Sequence, residues 1–159
     1  MFQRQLPTFN LNVNGVEEFI DPNEDLAIYD GDLNTEFAEQ PRKYAFYGGL
    51  YVDAAVTLED LKIKIDQYKA SIVSNVRERL TAKYGDGERY RFSEDKMKAE
   101  YALDETLQAL QEMYMEQERK VNRLEIIKKA FEQRSQMLWN IGATRRQEMV
   151  RMVPSNEEE

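Results

Sequence analysis

The sequence predicts an all-α fold: a long antiparallel helical hairpin, about 41–83 and 103–151, with a short helix between, assembling into a helical homo-oligomer behind an extended N-terminal arm. Three observations carry this. A mean hydropathy of −0.73, 33% charged residues and only 7 Gly and 4 Pro in 159 residues describe long solvated helices better than a compact globule. Tyr47, Tyr51, Ala54, Leu58, Leu61, Ile65, Tyr68, Ile72 and Val76 recur at spacings of three and four. Leu103, Leu107, Leu110, Tyr114, Val121, Leu124, Ile127, Phe131, Leu138 and Ile141 form a second stripe with no Pro or Gly between 88 and 141.

Residues 1–40 are dense in Asn, Asp and Glu, with Phe2, Phe9, Phe19, Ile20 and Phe37 at no regular period. That composition predicts an acidic extended arm, flexible or ordered only against a partner. The first helix runs from Pro41, a residue suited to a first turn, to Lys83 and is weakest at Gly48 and Gly49. Thr57 in Thr-Leu-Glu-Asp is a rival start, because it imitates a capping box. YGDGERYRF, 84–92, reads as a turn that closes this helix. Ser93 before Glu94 and Asp95 opens a short helix to about Tyr101, and Asp104 caps the last one or is absorbed into it.

The last helix would be roughly 70 Å long at 1.5 Å per residue, and its stripe outlasts the first helix. Oligomerisation through Leu124, Ile127, Phe131, Leu138, Trp139 and Ile141 is therefore expected. The domain reading is an arm over 1–40, a helical oligomerisation domain over 41–153 and an acidic tail over 154–159.

Chemistry is narrowed by what the chain lacks. Without cysteine or histidine there is no disulfide, no thiolate or imidazole metal ligand and no Cys-His or Ser-His catalysis. GDG at 85–87 lacks the Lys-Ser/Thr of a phosphate loop. The carboxylates read as surface charge on solvated helices, so no active site, no metal and no cofactor are expected. No apolar run approaches the roughly 20 residues that cross a bilayer, and the N-terminus has no basic-then-apolar signal pattern. A cytoplasmic protein is expected.

The formal charge of −8 is unevenly distributed. Residues 1–55 hold three basic side chains against ten acids, whereas 119–151 hold nine against Glu125, Glu132 and Glu148. A basic late segment between acidic ends points to a polyanion site. Arg119, Lys120, Arg123, Lys128, Lys129, Arg134, Arg145, Arg146 and Arg151 could track phosphates, and Trp139 could stack on an unpaired base. Equally, these charges could balance acids on a neighbouring helix. Between Leu138 and Ile141, Trp139 reads more readily as core. Arg77 and Arg79 in VRERL carry the same ambiguity.

The stretch AFEQRSQMLWNIGATRRQE resembles the C-terminal segment of phage recombination mediators of the UvsY type: an Arg-Ser pair, an apolar stretch, then arginines with a polar residue close behind. Arg134, Ser135, Ile141, Arg145 and Arg146 occupy those places. In that family a basic string of the form Lys-x-Arg-Leu before an aromatic and a glycine turn is associated with single-stranded DNA. Arg77, Arg79 and Leu80 match it, ahead of Tyr84, Gly85 and Gly87, with Lys83 alongside. The resemblance covers about 44–150.

It implies a ring-like homo-oligomer that binds single-stranded DNA. Such a mediator helps a RecA-like recombinase displace single-strand-binding protein, in phage recombination, replication and repair, in the host cytoplasm. A coiled-coil virion scaffold or assembly chaperone that binds no DNA is the alternative. An adaptor recruiting a basic partner through the acidic arm is a third.

Overall fold

The computed structural model describes residues 6, 8–13, 16–85 and 92–152. Its elements are β1 (Phe9–Val13), β2 (Val16–Ile20), α1 (Pro22–Leu26), α2 (Leu33–Tyr84), α3 (Glu94–Tyr101) and α4 (Glu105–Met152). They form two compact units, one of Met1–Val52 with Asn122–Glu159 and the other of Asp53–Val121, and α2 and α4 contribute to both. None of the helices is long and apolar enough to cross a membrane, among the described residues.

In the first unit β1 and β2 pair antiparallel, with Phe9 opposite Ile20 and Val13 opposite Val16. Phe9 and Ile20 are buried. Asp21 caps α1 by accepting from the Asn23 amide at 3.0 Å, and Pro22 occupies the first turn. Asn23 in turn holds the Leu6 backbone, donating from Nδ2 to its carbonyl and accepting its amide at 2.7 Å. The expected arm is thus a hairpin and a short helix in its described part. Scattered aromatics gave no period because strands of five residues alternate too briefly to register.

The expected helix start at Pro41 is also corrected. α2 begins at Leu33, behind Asp32, whose Oδ1 accepts the Thr35 amide at 3.2 Å. Hydrogen bonding from the Thr35 side chain, and then from its amide, holds the Asp32 carboxyl below its ordinary range. An interior proline costs about 3 kcal/mol. Burial on both sides of it offsets that cost: Leu33, Glu36 and Gln40 precede Pro41 on the buried face and Tyr47 and Leu50 follow it. Thr57 is no start either, since its hydroxyl bonds back to the Asp53 carbonyl at 2.9 Å.

The helix continues through Gly48 and Gly49, where an added Cβ meets no atom within 4 Å. Replacing both by alanine is expected to stabilise the protein by about 1.5 to 2 kcal/mol, because alanine loses less backbone entropy. Urea unfolding followed by helical circular dichroism reads this as a higher midpoint; a lower one contradicts the helical assignment.

Here α2 and α4 run antiparallel, with Glu36 against Arg134, Tyr44 against Glu132 and Tyr47 against Phe131. The Tyr47 and Phe131 rings stack at 4.6 Å. Burial pushes the Tyr47 phenol well above its ordinary pKa, helped by its hydrogen bond to Asp25 Oδ2 at 2.9 Å. Leu124, Ile127, Phe131 and Leu138 are fully buried within this one chain. The expectation that they serve oligomerisation is therefore corrected. Starting α2 at Leu33 supplies the partner surface that the stripe seemed to lack.

In the second unit Gln117 Nε2 donates to the Ala54 carbonyl at 2.9 Å and the Tyr68 hydroxyl to Asp104 Oδ1 at 3.1 Å, again an antiparallel order. Gly85, at φ 79°, ends α2 with its amide on the Thr81 carbonyl. The rest of the 84–92 turn, at 86–91, lies outside the described residues. Ser93 caps α3 as the sequence predicts, and of the two readings of Asp104 the structure has the cap of α4, the two side chains accepting from the Lys96 and Leu107 amides. Ile72, Val76 and Leu80 pack with Tyr68, Phe92, Met97 and Tyr101.

Candidate nucleic-acid interface

The two units divide the basic candidates. Arg77, Arg79, Lys83, Arg119 and Lys120 belong to the second, and Arg123, Lys128, Lys129, Arg134, Arg145 and Arg146 to the first.

In the second unit Arg77 and Arg79 are exposed on α2 beside buried Val76 and Leu80. Two residues apart, they lie about 200° apart around the helix and flank its buried stripe on opposite sides. Neither forms an ion pair among the described residues. Lys83 instead pairs at 3.2 Å with Glu100, which is buried. The exposed Tyr84 ring has Lys96 Nζ 4.6 Å and Lys83 Nζ 5.7 Å from its centroid. Lys96 was missed in the sequence, where only its place three residues after the Ser93 cap hints at α3 carrying it there. Arg119 is exposed, and Lys120 sits 3.6 Å from Glu116.

In the first unit Arg134 departs most from expectation. Only 2% exposed, its guanidinium pairs with Glu36, itself 6% exposed, and donates to Gln40 Oε1. It also donates to the carbonyls of Leu26, at 3.3 Å from Nε, and Ala27, at 3.0 Å, where α1 ends. Gln40 Nε2 passes the network to the Phe131 carbonyl at 2.8 Å, and Glu36 Oε1 accepts the Tyr29 amide at 3.1 Å. Every buried side-chain polar atom among the described residues has a partner. A guanidinium enclosed in this way cannot reach a phosphate. The phase of the stripe carried the signal, because Leu124, Ile127, Phe131, Arg134, Leu138, Ile141 and Arg145 alternate spacings of three and four.

Arg145 follows the same phase and donates to Asp30 Oδ1 at 2.7 Å. Lys129 pairs with Glu125 at 2.7 Å; this contact lowers the Glu125 pKa and raises that of Lys129, but between exposed groups it stabilises little. Lys128 Nζ rests 5.3 Å from the Tyr51 ring centroid. Arg123 and Arg146 are exposed. Arg146 borders a groove of about 340 Å³ with Leu33, Phe37, Gly142 and Met149. Gly142 is needed for its close approach to Phe37, since a Cβ there would lie 3.1 Å from that ring.

Trp139 is 65% exposed, so its reading as core is corrected for this chain. The buried positions around it are Leu138 and Gly142, and an indole one residue past Leu138 points off the stripe. Ile141 is half-buried. No group of three or more acidic side chains is placed to hold a metal ion, among the described residues.

Comparisons with family models, with curated proteins and with solved structures find no match to this chain.

Proposed function

We propose that this protein is a non-enzymatic recombination mediator. It binds single-stranded DNA and helps a RecA-like recombinase displace single-strand-binding protein, working as a homo-oligomer in a phage-infected cytoplasm. The observation that carries the reading is the set Arg77, Arg79, Arg119, Arg123, Lys128 and Arg146, none in an ion pair among the described residues of a chain whose formal charge is −8. Basic side chains left without an ion pair among so many acids suit phosphate. The resemblance of 134–146 and 77–87 to UvsY-type mediators supports the same conclusion. Arg134 leaves the contact set, and of the proposed self-association residues only Trp139 is broadly exposed.

A scaffold that binds no DNA is favoured by one observation: Lys83, Lys120, Lys129, Arg134 and Arg145, five of the eleven candidates, are neutralised by acids of the same chain. The two readings separate on salt.

Arg77→Glu with Arg79→Glu is expected to weaken binding to a single-stranded oligonucleotide. It should also flatten the slope of log affinity against log salt by about 1.4, the loss of two phosphate contacts. Helical circular dichroism should be unchanged, since both side chains are exposed. Affinity and slope both equal to the parent's would remove these arginines from the interface.

A further inference from the structure

We infer that Trp139 is a base-stacking residue for single-stranded DNA, with Lys128 and Arg146 as its phosphate partners on the same line of α4. This rests on the reading that the protein binds DNA and names the residue that grips a base. Trp139 follows Lys128 by eleven residues and precedes Arg146 by seven, so all three project within about 20° of one another around the helix. The cations lie about 16 Å before and about 10 Å after the indole along the axis.

The ring is open. A helical side chain leans over the turn before it, and the residue four earlier is the small Ser135; four later comes Ala143. No aromatic ring or cation stacks on the indole among the described residues. The one acid on this line is Glu132, whose carboxylate accepts the Tyr44 hydroxyl at 3.1 Å. An exposed indole between two cations matches a strand of bases and phosphates, whereas a face built only for self-association would carry neighbouring apolar side chains in their place.

Trp139 is the only tryptophan, so the protein's own fluorescence reports on it. The full chain is titrated with an unlabelled thymidine oligonucleotide while anisotropy of a labelled copy follows binding independently. Expected are quenching that saturates with the anisotropy and, for Trp139→Ala, an affinity weaker by about 5-fold to 150-fold. The salt slope should not move, because the indole carries no charge. Trp139→Phe should recover part of the affinity.

Binding by anisotropy with unchanged fluorescence, or with full affinity in Trp139→Ala, overturns this inference and leaves the DNA reading intact. No binding at low salt overturns both. Fluorescence that shifts with protein concentration without DNA, and a Trp139→Ala protein that sediments as a smaller species with full DNA affinity, assign the indole to self-association and overturn the inference.

Discussion

Arg134→Ala is expected to destabilise the protein by about 3 to 5 kcal/mol, the range for breaking a buried ion pair from one side. The carboxylate of Glu36, 6% exposed beside Arg134, would lose its counter-charge, and the Leu26 and Ala27 carbonyls at the end of α1 would lose their donor. Urea unfolding monitored by helical circular dichroism measures the loss. Replacing Glu36 and Arg134 together by leucine should recover much of it, since an uncompensated charge costs more than an apolar pair. Were Arg134 a DNA contact, the alanine variant would instead fold as stably as its parent and bind DNA more weakly.

Phe131→Ala should cost about as much, some 3 to 5 kcal/mol, for a different reason. The ring is fully buried and stacked on Tyr47 at 4.6 Å, so truncation opens a cavity in the first unit. The shift in unfolding midpoint should be the same at low and high protein concentration, because the contact is within the chain. A loss that disappears at high concentration would return Phe131 to an interface between copies.

Much of this fold was legible as periodicity. The two stripes gave both long helices, and Ser93, Asp104 and the glycine after Tyr84 gave their interruptions. What was not legible came from polar residues in apolar phase. Glu36, Gln40 and Arg134 occupy stripe positions, but hydrophobic spacing alone passes over them and starts the helix at Pro41 instead of Leu33. Once α2 starts too late, the last helix looks uncovered, and buried Leu124, Ile127 and Leu138 look like an interface. The hairpin of β1 and β2 is too short to show its period.

At the candidate interface the residue types were legible and their availability was not. Nothing in the spacing of VRERL distinguishes Arg77 from Lys83, yet one is exposed without an acidic partner among the described residues and the other is bound to Glu100. Charge pairing across helices depends on register, which a single stripe does not specify. Trp139 is exposed although its apolar neighbours suggest burial, because adjacent helical residues point about 100° apart.

Single-stranded DNA binding by the basic side chains that form no ion pair among the described residues is the proposal. Its most direct test is the fluorescence anisotropy of a labelled single-stranded oligonucleotide titrated with the full chain at two salt concentrations, with duplex of the same sequence as control. Binding that prefers the single strand and weakens as salt rises is the result predicted. No binding at the lower salt would contradict it and make the charges a matter of helix pairing alone.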